Sequence, residues 1–425
     1  MRKVLVIAYY WPPAGGPGVQ RWLKFLTYLP AHGITPILYL PENPHYPITD
    51  PTLLKEVPTD LKIYRLPIAE PYGLARLFSK KKTARISSGI IQKERKQSVL
   101  EKFFLWVRGN FFIPDARRSW IKPSIAHLKD IIAMEQVDTL ISTGPPHSLH
   151  LIALGLKEQL GLRWIADFRD PWTTIGYHGK LRLTQAAQQK HEALEKKVLQ
   201  GASHIVVTSY TTQKEFQKKT DVPITVITNG HDVEPTNEKV RLDDAFTLSH
   251  IGSLLSGRNP RTLWQVLSEL NREVEGFQED FELQLAGVVS EEVMEDLEDY
   301  GLRPQTKVMG YVDHGHALRL QQQSQLLLLV EIDSEETQGI IPGKLFEYLA
   351  SKRPIIAIGP KKWDAERIIL DSGAGTIHRY EDHNALKNLF LAYYSAYKKG
   401  QLTLRPSDPQ RFSRQRLTKE LAEII

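Results

Sequence analysis

The chain has 425 residues, 41% apolar and 24% charged, a composition that fits a folded protein with more than one core. It contains no cysteine, which excludes disulfides and thiol catalysis and suits a cytosolic setting. Its formal charge of +6 is uneven: 13 Lys/Arg against three acids give Arg76–Lys122 a balance of +10 and leave −4 elsewhere. The apolar run in "MRKVLVIAYYWPP" is too short for a secretory signal and reads as a buried first strand. No run approaches the ~20 apolar residues of a membrane span.

In chain order, β-rich runs alternate with helical patterns, which predicts parallel sheets with crossover helices. Strand Lys3–Ala8 is followed by a loop in which Gly15, Gly16 and Gly18 lead into a helix over Val19–His32. Glycines admit close approach of a ligand and a helix N-terminus offers N–H groups to an anion, although a plain turn has the same pattern. The spacing is not the dinucleotide fingerprint. Strands Thr35–Tyr39 and Ile63–Leu66 precede the basic segment, which also carries Phe103, Phe104, Trp106, Phe111, Phe112 and Trp120. Cations mixed with rings suit an anionic membrane surface, single-stranded nucleic acid, or a helix pair with its rings in the core.

Helix Ser119–Met134 leads to strand Thr139–Ser142, after which "GPPHSLH" places His147 in a loop and His150 one turn later, on helix Ser148–Leu160. Histidines at a strand end can donate to a hydroxyl or phosphate or act as a base; two without a third clustered ligand are a weak metal signal, and packing is the alternative. Strand Arg163–Asp167 opens into "DFRDPW", where Asp167, Arg169 and Asp170 either orient a polar substrate or form a salt-bridged corner. A helix near Leu181–Gln200 and strands His204–Thr208 and Thr225–Ile227 complete the first half.

The pattern restarts after the turn-rich "ITNGHDVEPTNEK", which puts a domain boundary near residues 230–243. Strand Thr247–Ile251, helix Pro260–Val274, strand Phe281–Ala286, helix Glu291–Tyr300, strand Lys307–Val312, helix Ala317–Gln323 and strand Leu326–Val330 follow. In the loop after the first of these strands, Gly252, Ser253 and Gly257 precede Arg258 beside a helix start. That arrangement grips a diphosphate, or is a surface arginine. In "GIIPGKLFEYLA", Gly339, Ile340 and Ile341 can present backbone N–H groups before Lys344 opens a helix. Lys344, Glu347 and Ser351 share one helix face. A lysine there neutralises phosphate, and a carboxylate one turn on accepts two hydrogen bonds from a ribose diol; an exposed i,i+3 ion pair is the alternative. The final "RFSRQRLTKELAEII" reads as an amphipathic helix.

The Gly15–Gly18 loop, "GPPHSLH", "DFRDPW", "TNGHD", "GSLLSGR" and "PGKLFEYLA", in this order along two α/β halves, resemble retaining glycosyltransferase family 4 and, within it, bacterial cell-surface polysaccharide enzymes. The resemblance implies the GT-B fold, two Rossmann-like domains with parallel sheets facing a central cleft. An acceptor-side domain would span residues 1–235, a nucleotide-sugar domain 236–405, and a helix over 406–425 would cross back to the first. It places Arg258 and Lys344 on the donor diphosphate, Glu347 on the ribose, and Gly310, Tyr311 and Val312 by the base. His147 would lie near the transferred sugar and Gly15–Gly18 at the cleft floor. Transfer would be metal-independent, with no cofactor and a nucleotide-diphosphate sugar as substrate. The acceptor would be a glycan or lipid-linked, and the protein cytoplasmic, at the inner face of the plasma membrane if the basic segment binds anionic lipid. Gly339 stands where the family pattern has its first glutamate, so a non-catalytic nucleotide-binding subunit remains an alternative, as does a sugar-nucleotide epimerase of similar architecture. The acidic remainder of the chain argues against nucleic acid as a partner.

Overall fold

The computed structural model describes residues 2–70, 99–176, 178–232, 240–402 and 408–425. Residues 76–98 of the basic segment and 233–239 of the predicted junction lie outside the described residues, as do the boundary positions 235–236 and 405–406. The chain forms two compact units, one of residues 1–229 with 414–425 and one of residues 230–413.

Among the described residues of the first unit, β1 (Arg2–Ile7), β2 (Ile34–Pro41), β3 (Lys62–Leu66), β4 (Thr139–Gly144), β5 (Arg163–Phe168), β6 (His204–Val207) and β7 (Ile224–Val226) form one sheet. Its order is β3-β2-β1-β4-β5-β6-β7 and every pairing is parallel. Helices cover both faces, so β1 is buried continuously rather than alternately. Its odd residues Leu5 and Ile7 enter one apolar cluster, and its even residues Val4 and Val6 enter another. The second cluster also takes Leu417, Leu421 and Ile425, because the helix Arg414–Ile424 packs on the helix Pro17–Tyr28. Arg414 Nη2 donates to Gln20 Oε1 over 3.0 Å in that contact.

In the second unit, β8 (Phe246–Ile251), β9 (Phe281–Ala286), β10 (Thr306–Gly310), β11 (Leu326–Val330), β12 (Ile355–Ile358) and β13 (Gly375–His378) run parallel in the order β10-β9-β8-β11-β12-β13. The helix Arg261–Glu273 lays Leu263, Trp264, Val266, Leu267 and Leu270 on this sheet. Each such side chain contributes about 2 kcal/mol when fully buried.

Two departures from the sequence reading lie near the second unit's switch point. β10 stops at Gly310 instead of Val312, because Gly310 turns to φ 65 and the register against β9 shifts between Val308 and Gly310. The helix expected from Ala317 begins at His314, because Asp313 caps it by accepting from His316 N (2.9 Å).

Both sheets reverse direction of winding once, between β1 and β4 in the first unit and between β8 and β11 in the second. In open parallel sheets, ligands bind beyond the carboxyl ends of the strands at this switch point. Two sets of loops are thereby singled out, independently of any motif.

Candidate functional site

At the β8–β11 switch point, Gly252 leaves the strand at φ 123 and donates its N–H to Ala286 O (2.7 Å). A Cβ at Gly252 would stand 2.5 Å from Lys344 Nζ, so the glycine makes room for that ammonium. Lys344 opens the helix Lys344–Ser351 and reaches back to β8, where its Nζ lies 3.2 Å from His250 Nε2. The other ring nitrogen, Nδ1, faces Leu328 O at 2.9 Å; a carbonyl only accepts, so Nδ1 carries the proton and Nε2 offers a lone pair to Lys344. Burial, then the neighbouring charges of Lys344 and Arg258, keeps His250 well below the usual histidine range. Burial first, and Arg258 next, lowers Lys344 to about 7, against the weaker opposing pull of Glu331 and Glu347.

Arg258, in the turn after β8, places Nε and Nη2 at 2.9 and 2.8 Å from Glu331 Oε1, at the end of β11. Glu331 is buried, and its Oε1 also accepts from Ile332 N (2.9 Å). Glu347 is engaged by another helix: Oε1 meets His314 Nε2 at 3.0 Å and Oε2 accepts from Gln321 Nε2 at 2.9 Å. Ser351, expected on the same face, donates to Tyr348 O (2.7 Å) and closes the helix end. Lys344 and Glu347 form no i,i+3 ion pair on this helix; the two serve different neighbours. Ser253 follows Gly252 in the same loop, half-buried. Gly310, Tyr311 and Val312 lie at the end of β10, two strands from β8, with Tyr311 92% exposed. Gly339, Ile340 and Ile341 lead into the Lys344 helix, but the Ile340 N–H is already given to Thr337 O (2.9 Å).

At the β1–β4 switch point, Gly15 donates to Ile48 O (3.1 Å) and Gly16, at φ 112, caps the helix Pro17–Tyr28. A Cβ on Gly18 would overlap the Arg169 guanidinium, which donates to Pro145 O. Asp167 belongs to the interior: it accepts from Arg21 Nη2 (3.2 Å), Trp22 Nε1 (2.8 Å) and Thr143 Oγ1 (2.7 Å). The corner expected around Arg169 is therefore made by Arg21. Asp170 is half-buried, and burial raises its carboxyl despite Arg169.

His147 is 95% buried, as its 5% exposure records, and lies parallel to the Trp172 indole at 4.6 Å. Neither of its ring nitrogens has a hydrogen-bond partner, and burial holds it neutral, well below the ordinary histidine range. Trp172 Nε1 donates to His191 Nδ1 (3.1 Å), fixing the indole that fixes His147. His150 lies beside it at the end of β4, 5.8 Å between ring centroids, where a Cβ on Gly144 would come 2.5 Å from His150 Nε2. Its ring is fully buried on Phe168, its Nδ1 meets Ser142 Oγ at 2.8 Å, and burial pushes it down to about 3.

Part of the basic segment is interior. Arg117 is buried against Glu70 (3.0 Å) and over the Tyr9 ring, and Trp120 stacks on Tyr39 at 4.8 Å. Among the described residues, no helix is long and apolar enough to cross a membrane, and no three His, Asp or Glu side chains converge as metal ligands. Sequence reasoning passed over His250, Glu331, Gly287, His314, Gln321 and the Trp172–His191 pair. Gly287, at φ 120, lets β9 end against the Gly252 carbonyl, where a Cβ would come within 2.6 Å. A lone histidine inside the apolar "TLSHI" strand was the one available signal.

Residues 90–235 match the family model described as Glycosyltransferase Family 4. No curated protein matches the sequence. Solved structures align along the whole chain. Anabaena Alr3699/HepE in complex with UDP and glucose is 13% identical, with a TM-score of 0.59, covering 100% of this chain and 99% of that one. The lipopolysaccharide outer core galactosyltransferase WaaB, in its apo form, is 13% identical with a TM-score of 0.58 and the same coverage. Sucrose-phosphate synthase from Thermosynechococcus elongatus is 13% identical with a TM-score of 0.54, covering 100% and 94%. At such identities the likeness speaks for architecture: the two parallel-sheet units are the Rossmann-like domains of the GT-B fold.

Proposed function

We propose that this chain is a retaining, metal-independent glycosyltransferase that moves a sugar from a nucleoside-diphosphate donor to a glycan or lipid-linked acceptor in cell-surface polysaccharide synthesis. The observation that carries the reading is Lys344, half-buried at the β8–β11 switch point with no carboxylate in ion-pair reach among the described residues. A lysine with no carboxylate in ion-pair reach, beside Arg258, is a place for an anion, and a diphosphate supplies one. The partial match to the family 4 model and the nucleotide-bound structures of the same fold agree with a nucleotide-sugar donor.

Breaking the sugar–phosphate bond builds positive charge on the sugar and negative charge on the departing diphosphate. Lys344 and Arg258 stabilise the second where it develops. Glu347, already aimed by His314 and Gln321, holds the ribose diol. His147, held neutral by burial, is suited to orient hydroxyls rather than to accept a proton. Attack on the same face as the leaving group lets the departing phosphate oxygen take the acceptor's proton, so no protein nucleophile is required. The basic segment's contribution is contact with an anionic membrane carrying the acceptor.

The test is to incubate the protein with UDP-, GDP- and ADP-sugars, with and without lipid-linked acceptors, and follow free nucleoside diphosphate and product anomer by NMR. Release that depends on acceptor, with the donor's anomeric configuration kept, supports the reading. Conversion of a sugar nucleotide without acceptor identifies an epimerase instead, and binding without any release identifies a non-catalytic subunit.

A further inference from the structure

Lys344 sits in surroundings that disfavour its charge. His250 on β8 offers it only a neutral lone pair at 3.2 Å. Arg258, from the turn after β8, adds a like charge. The two carboxylates that face it are engaged elsewhere: Glu331 at the end of β11 with Arg258, and Glu347 on its own helix with His314 and Gln321. Gly252 closes the backbone side, where a Cβ would stand 2.5 Å from Nζ. A lysine placed this way has a hydrogen-bond acceptor whether or not it is protonated, but no anion.

We propose that nucleoside-diphosphate binding at this site takes up a proton at Lys344, the ligand-free pocket holding a neutral amine against His250 and the occupied one an ammonium against diphosphate. The inference rests on the diphosphate reading above and extends it. The proton comes from solvent or buffer and ends on Nζ; no bond other than N–H forms. Because the empty site titrates near 7, the amine is mostly uncharged at pH 8, and a doubly negative ligand restores its charge. At pH 6 Lys344 is already protonated, so binding there takes up nothing. Charge on an otherwise neutral pocket would thus appear only when the leaving group that needs it is present.

The experiment is isothermal titration of the full chain with UDP-, GDP- and ADP-glucose, whose esterified diphosphates do not titrate in this range, in HEPES and Tris at pH 6 and pH 8. The expected result is uptake of roughly one proton per nucleotide at pH 8, near none at pH 6, and an affinity falling about tenfold per pH unit above pH 8. Lys344→Arg keeps its proton at all these values, so it binds without uptake. Lys344→Met serves as the control for the site itself, with binding weakened at least roughly tenfold. Saturable, Lys344-dependent binding with no uptake at pH 8 overturns the inference and leaves the diphosphate reading standing. Uptake that persists in Lys344→Arg also overturns it. Binding indifferent to Lys344→Met, or no saturable binding of any of the three nucleotides, overturns both.

Discussion

Lys344 Nζ and His250 Nε2 lie 3.2 Å apart, and the opposite nitrogen of the same ring is held 2.9 Å from the Leu328 carbonyl. The histidine therefore has one tautomer and one orientation, and it aims the lysine across the end of β8. Replacing it by alanine removes that support and leaves the Leu328 carbonyl without this donor. His250→Ala is expected to lower stability by about 1–3 kcal/mol in denaturant unfolding and to weaken nucleotide binding as well. Unchanged affinity in the folded variant would show that the ring does not position Lys344.

Gly252→Ala tests the other wall of the same pocket. Alanine at φ 123 is strained, and its methyl would press on Lys344 Nζ. A cost of about 1–3 kcal/mol is expected from the backbone alone. Displacement of Lys344 should add a measurable rise in nucleotide Kd, read by titration. Gly16→Ala, also at positive φ but in the other unit, should leave that Kd alone.

Glu347 can be assigned by chemistry on the ligand. Glu347→Ala should weaken a UDP-sugar by roughly 100-fold or more, the loss of two hydrogen bonds to a charged acceptor. It should scarcely affect the 2′,3′-dideoxyribose analogue. Equal losses for both would place the carboxylate elsewhere than on the ribose.

The first unit should be acid-labile. Burial holds His147 well below the ordinary histidine range, His150 down to about 3 and His191 down to about 4. Their folded values lie below the unfolded value near 6.5, so the unfolded chain binds more protons between the two. Stability is full above that value and falls as pH drops toward 4, by about 1.4 kcal/mol per pH unit for each group. Denaturant unfolding at pH 7 and pH 5, followed by circular dichroism, should differ by several kcal/mol. A flat profile would mean these rings are charged or exposed in the native protein.

Strands and helices were legible wherever a pattern had sharp borders. Phe281–Ala286, Leu326–Val330 and Ser148–Leu160 have the same limits in the sequence reading and the structure, because apolar runs end there at Gly, polar or turn-forming residues. β10 was overextended because Tyr311 and Val312 favour strands, while the positive φ of Gly310 is a property of the folded turn. Within the candidate site, Lys344, Arg258 and Glu347 could be picked out from loops and a helix start. Their partners could not. His250 lies 94 residues before Lys344, and Glu331 lies 73 after Arg258; only the parallel pairing of β8 with β11 brings them together. Asp167 was misleading for the converse reason. A charged residue at a strand end looks the same in sequence whether it faces a ligand or, as here, Arg21 inside the unit.

Thermal unfolding of the wild type and Lys344→Ala, each screened against UDP, GDP and ADP, bears most directly on the claim that the β8–β11 switch point holds a nucleotide diphosphate. One nucleotide should raise the wild-type Tm in a concentration-dependent way, and the shift should disappear in a variant still folded without ligand. A nucleotide-specific shift of the same size in Lys344→Ala would contradict it.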